Sequence, residues 1–444
     1  MQAAPVTAAP PAPSSASATG ALSAPKAVSA APDPTTVAPT LPSLRGNTDI
    51  PTGLTRWQAG LMALVVVWAI ATVALLAGSF QAGRAGAANT DQLTRINAIQ
   101  STLFRADAIA TNAFLVGGLE PAEQRAAYDA ALDEVSTLIT EAAQAQPADQ
   151  EALAVLNTQV LSYAEQMQQA RANNRQGLPV GAQYLREASA DLRDEESGMK
   201  AVLDALVAAN DERAASAFSA HQPLLVALPG LVVLLFLGWF NQRLAQVFRR
   251  RFNVGLVGAA AAVALLTIAA TAVTWSLASD ADRLREGDFA TTVDTSAAKT
   301  AANDAKSNES LRLVSRGSGA AFEEAWAEAD ARVTELVADD PGLTDSWAAY
   351  RVAHASIVDA DESGDWEGAV QQAVSTEEGS ASALFTDFDE RAEAVVVESS
   401  DRVADALTAG GWRVVAAAVG TVLAAALAVV AVGWGMTARR KEFG

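Results

Sequence analysis

Four stretches carry no ionisable side chain, and they constrain everything between them: Trp57–Gly78, Leu224–Phe240, Val254–Ala278 and Val414–Ala438. Each is close to the ~20 apolar residues a helix needs to cross a ~30 Å hydrocarbon layer. With no water in that layer, each segment must satisfy its own backbone hydrogen bonds, and a helix does so alone. The second stretch is the shortest; Pro223 stands at its entrance and Pro229 inside it, where a kink is tolerated. The first begins more than fifty residues into the chain, too late for a cleaved signal peptide, and reads as a retained anchor.

The charges sort by segment. The formal net charge is −20. Between spans one and two, residues 81–220 hold 10 basic and 19 acidic side chains; between spans three and four, residues 278–410 hold 10 and 29. The remaining basic residues cluster at Lys26, Arg45 and Arg56, at Arg243, Arg249, Arg250 and Arg251, and at Arg439, Arg440 and Lys441. Arg413, at the opposite end of span four, is the exception. Short loops rich in Lys and Arg stay in the cytoplasm. The three clusters agree on one topology, with both termini inside and two acidic segments outside. The four elbow arginines, Arg243 and Arg249–Arg251, then serve as topology determinants that also meet anionic headgroups, or as contacts for a cytoplasmic partner.

The two outer segments echo each other. Tyr163, Gly177 and Gly181 fall over Tyr350, Gly364 and Gly368, each set reading tyrosine, thirteen residues, glycine, three residues, glycine-alanine. Leu153, Leu156, Val160, Tyr163, Met167 and Ala170 step by three and four, as do Ile96, Ile99, Leu103, Ala106 and Ala110, which is helical spacing. Glycines and prolines punctuate the runs at turn positions. The expectation is an all-α membrane protein with four transmembrane helices, two tandem extracytoplasmic up-and-down four-helix-bundle domains and a disordered N-terminal tail. Its parts are a tail over 1–55, spans at 56–80, 222–240, 254–278 and 412–438, bundles at 81–221 and 279–411, an elbow at 241–253 and a basic end at 439–444. A seam through Leu185, Leu192, Met199 and Leu206 puts Glu195 at a core-facing register, as a polar-core or ligand-amine contact. Asn112 reads as an interhelical hydrogen-bonder before a ligand contact.

The chemistry is sparse. With no cysteine and two histidines far apart in sequence, His221 and His354, no thiolate site, catalytic triad or metal cluster is readable, so the expectation is a non-enzyme without cofactor. The acidic balance excludes nucleic acid as a partner. Transport is disfavoured by spans lacking the ionisable side chains that mark ion paths. The Ala/Pro/Ser/Thr-rich tail buries too little apolar surface to offset its ordering entropy. The cytoplasmic inventory of tail, elbow and "RRKEFG" has room for no output domain, so signalling would need another protein. Gly255 and Gly258 permit a homodimer by close helix packing.

The segments "ATNAFLVGGLEP" from Ala110 and "NNRQGLPVGAQYLREAS" from Asn173, set between spans in this order, resemble the GlnX-like family of actinobacterial four-pass membrane proteins. The likeness covers essentially the chain after the tail and rests on structural motifs. It implies a relay between an extracytoplasmic amino-acid-binding lipoprotein (GlnH), loaded with aspartate or glutamate, and a cytoplasmic serine/threonine kinase (PknG). An acidic exterior disfavours direct capture of an anionic amino acid; a separate binding protein removes that difficulty. The alternative is a non-signalling scaffold of the cell envelope.

Overall fold

The structure is a computed structural model that describes residues 50–116, 120–248 and 253–440. Every long element in it is helical. The tail expectation for residues 1–49, and that for Arg249–Arg251, lie outside the described residues.

Helix α1 (Ile50–Leu115) is 66 residues long, about 100 Å at the helical rise, and carries span one without a break into the first outer segment. Its one proline, Pro51, falls in the first turn, where no hydrogen bond is lost. Then follow α2 (Ala122–Ala145), α3 (Gln150–Arg175), α4 (Val180–Arg193), α5 (Met199–Phe218) and span two as α6 (Pro223–Phe248). Span three, α7 (Val254–Leu284), passes through a π-helical segment, Arg285–Phe289, into α8 (Ala290–Val314). Gly287 sits in that segment at φ −107°, ψ −108°, a kink without a chain break. The chain closes with α9 (Ala320–Leu336), α10 (Pro341–Glu362), α11 (Trp366–Val374), α12 (Ala381–Ala409) and span four as α13 (Gly411–Arg440).

The described chain has four helices long and apolar enough to cross a membrane. Outward-facing Ile70, Leu235, Leu265 and Leu427 make the spans apolar on the outside as well, a surface suited to lipid. Exposed tryptophans ring both ends, with Trp57, Trp239 and Trp434 at one and Trp275 and Trp412 at the other. Such belts sit at headgroup level. From Trp412 to Trp434 along α13 is about 33 Å, close to the thickness of the hydrocarbon layer.

At the end bearing the elbow, Asn253 caps α7 by accepting from the Gly255 amide at 3.0 Å, and its Nδ2 donates to the Gly435 carbonyl at 3.2 Å. A Cβ on Gly255 would stand 2.3 Å from the Ala431 carbonyl oxygen. Gly255 is therefore consumed by packing of α7 on α13 within the chain, whereas a Cβ on Gly258 meets nothing within 4 Å. Gly255→Val is expected to cost about 1–3 kcal/mol by overpacking, and Gly258→Val almost nothing, read as melting temperatures of the full chain in detergent. Helix α6 continues to Phe248 and places Arg243 on a helix, its guanidinium 5.6 Å from the Trp239 ring.

Residues from Thr52 onward form one compact unit. Between spans, two apolar cores form. Ile99, Leu103, Tyr128, Val135, Tyr163, Leu185 and Leu203 build the first, from α1 through α5, with Leu311 of α8 added. Trp326, Val333, Trp347, Tyr350, Ala369 and Phe388 build the second, from α8 through α12, with Leu115 of α1 added. Each core thus takes in a buried side chain from the other half. Each also has five helical pieces where four were expected, because the last helix is broken. In the first half Asp194 breaks it: its Oδ1 accepts from the Ser197 amide at 2.7 Å and from the Ser197 hydroxyl at 2.8 Å.

Candidate functional site

Helix α8 is the centre of the assembly. From Ser307 to Leu313 every residue is buried, although the stretch reads SNESLRL. A helix that polar is buried only when its polar groups are paired. The pairing occurs with α1 on one side and α9–α11 on the other.

On the α1 side the acceptor is Asp107, fully buried. Its Oδ1 accepts from the Tyr163 hydroxyl at 3.0 Å and from Ser189 at 2.7 Å, and its Oδ2 from Arg193 Nη1 at 2.9 Å and from Ser307 of α8 at 2.6 Å. Four donors from α3, α4 and α8 converge on one carboxylate of α1. Arg193 also pairs with Asp304 of α8 at 2.6 Å, so a single guanidinium joins both halves. Burial and the neighbouring Asp107 push the Tyr163 hydroxyl well above its usual pKa, keeping it a donor.

On the other side the acceptor is Glu309, also fully buried. It pairs with Lys306 at 2.6 Å, accepts from the Tyr350 hydroxyl at 2.9 Å and lies 2.9 Å from His354 Nδ1. His354 Nε2 is 3.4 Å from Glu323, and its ring stacks on Trp326 with centroids 3.7 Å apart and planes 7° apart. Burial lowers the His354 pKa, but hydrogen bonds and charge from Glu309 and Glu323 outweigh it and raise it above the ordinary imidazole value. Burial likewise opposes ionisation of Glu309, yet Lys306 and His354 hold its carboxyl down to about 2. The His354 ring lies between two carboxylates, which favour its protonated form, and rests on an indole face.

The two tyrosines singled out in the sequence therefore do the same work, each donating to a buried carboxylate from the first helix of its own half. Gly177 and Gly364 both follow the tyrosine-bearing helix at positive φ, 68° and 87°, where a side chain is strained. Gly181 packs against the end of α3, its would-be Cβ 2.8 Å from the Asn174 amide, and at Gly368 the same atom would strike the Asp365 carboxylate that caps α11. Asn112 is buried and donates to the Ala373 carbonyl of α11 at 3.1 Å, tying α1 to the second half. Glu195 departs from expectation. It lies exposed in the turn after Asp194, because the helix seam that placed it inward ends at Arg193. It is not part of the polar core.

Sequence reading missed Asp107, Arg193, Ser307 and Glu309. One signal was present: Asp107 stands four residues after Leu103, on the apolar stripe of α1. The arrangement offers no open nucleophile; its groups are buried and largely paired with one another, Arg193 Nη2 and Trp326 Nε1 being left without a partner. It connects α1 and α8, the two helices that run on into spans one and three.

Residues 81–219 match the family model of an actinobacterial sensor domain. No curated protein and no solved structure matches. The matched segment begins inside α1, just past span one, and ends with α5, so it includes Asp107, Tyr163, Ser189 and Arg193, and the Asp107 carboxylate reaches Ser307 outside it.

Proposed function

We propose that the chain is a non-enzymatic transmembrane signal transducer, with the helical module outside the cell membrane and the basic elbow and termini in the cytoplasm. The observation that carries this reading is the continuity of the sensor-domain segment with span one inside a single helix, α1. A displacement or rotation of α1 against α8 has no hinge in α1 to absorb it before the bilayer, and packed interfaces of this kind hold discrete arrangements. The distribution of charge supports the orientation. The resemblance supplies the finer reading: an amino-acid-binding lipoprotein loaded with aspartate or glutamate as the outer contact, and a serine/threonine kinase as the inner one.

Photo-crosslinkers placed at Leu161, exposed on α3, and at Arg243 on α6 test it in native membranes with and without aspartate or glutamate. Transduction predicts adducts at both sites whose yield changes with the amino acid. Adducts indifferent to it at both sites point instead to an envelope scaffold and contradict the proposal.

A further inference from the structure

A cavity of about 560 Å³ opens where the spans meet the outer module. It is walled by α1 just past span one, the α5–α6 joint, the end of α7 and the α12–α13 joint. Trp275 and Trp412 lie close by in sequence, which puts the cavity at headgroup level. It gathers cations in a chain that is otherwise strongly acidic: Arg84, Arg283 and Arg413 line it. The carboxylates there are engaged. Asp280 pairs with Arg283 and, at 3.4 Å, with Arg413; Asp288 pairs at 2.8 Å with Arg402, which is not part of the lining. Among the described residues Arg84 has no ion-pair partner; its guanidinium lies 6.0 Å from the Phe80 ring. His221, at the α5–α6 joint, turns a buried Nδ1 toward no hydrogen-bond partner.

We propose that this cavity binds the phosphate of an anionic phospholipid headgroup from the leaflet facing the module. A phosphate oxygen matches the guanidinium fork of Arg84 and supplies the acceptor that His221 Nδ1 lacks in the tautomer carrying its proton there. The apolar lining from Phe80, Leu277 and Leu407 suits the glycerol and the first acyl methylenes better than a free, fully hydrated phosphate. The site also gives Arg413 a role. It sits at the end of span four where the charge rule puts no arginine, and it faces the cavity. Occupancy would bridge all four places where a span passes into the module, including the π-helical segment.

The test uses the full chain purified in a neutral detergent, titrated separately with dihexanoyl phosphatidylglycerol, dihexanoyl phosphatidylcholine and inorganic phosphate, and read as melting temperature and as bound lipid by native mass spectrometry. The anionic lipid is expected to raise the melting temperature saturably and to remain bound, with the other two ineffective at the same concentrations. Arg84→Gln removes a guanidinium that holds no other charge in place, and is expected to weaken the apparent affinity about tenfold or more; His221→Gln weakens it as well. Arg105→Gln, at a surface pair with Glu134, leaves it unchanged. Equal effects of the two lipids, an effect of inorganic phosphate to which the anionic lipid adds nothing, or wild-type affinity in Arg84→Gln would each overturn the proposal.

Discussion

Exchanging Asp107 for alanine is expected to lower the stability of the full chain by about 3–5 kcal/mol, the range seen when one partner of a buried ion pair is removed. The carboxylate is fully enclosed and serves four donors. Its loss leaves the Tyr163, Ser189 and Ser307 hydroxyls without this acceptor and Arg193 with Asp304 and the Ser189 carbonyl. Asp107→Asn keeps the shape but takes away the charge facing Arg193, and should fall between wild type and alanine. Ser307→Ala removes one neutral donor and should cost about 1 kcal/mol. Chemical unfolding in detergent, followed by helical circular dichroism, ranks the three. A double-mutant cycle of Asp107→Ala with Ser307→Ala should be non-additive, since the residues touch. Additivity would mean the two halves are not coupled through this contact.

The second large effect belongs to His354. Its alanine variant loses the stack on Trp326 and leaves Glu309 short of one of its partners, an expected cost of about 2–3 kcal/mol. The pH dependence is the sharper reading. The groups facing the ring are Glu309 and Glu323, with Lys306 and Arg312 paired to them. Because folding raises the pKa of His354 above 6.5, the stability it contributes is whole below that value and is lost as pH rises through the folded value. Glu309 works in the opposite sense. Its folded pKa is depressed from 4.5 to about 2, so its contribution is whole above 4.5 and disappears only as pH falls toward 2. Wild type should therefore lose stability as pH rises above 6.5 and through the folded value, and His354→Gln, which cannot take the charge, should lose that slope. An unchanged slope in the variant would show that the ring is neutral in the fold.

Much of this architecture could be read from apolar runs, because a membrane span is a strong local signal. The spans of α1, α6, α7 and α13 sit on the four uncharged stretches. The tyrosines and the glycines at positive φ were also visible, since a turn after a buried aromatic leaves a pattern at fixed spacing. What hydropathy could not show was α8. A helix enclosed on both sides by polar pairing reads as a solvent-facing one, and SNESLRL gives no apolar stripe to follow. Glu195 failed for a related reason: periodicity was carried through Asp194, a residue whose side chain ends helices by binding backbone amides ahead of it. Asn112 bonds to the Ala373 carbonyl in the other half, a partner with no sequence signature.

Under the proposed function, the contact between α1 and α8 sets the arrangement of the spans that continue from them. The chain has no cysteine, so a pair introduced at Arg56 on α1 and Val257 on α7, both exposed near the elbow end, can be spin-labelled without background. Pulsed dipolar spectroscopy of that pair in lipid nanodiscs, in the otherwise wild-type chain and in Asp107→Asn, measures whether a change at the outer contact reaches the far side of the bilayer. The account predicts a shifted distance distribution in the variant; superimposable distributions from two folded proteins would contradict it.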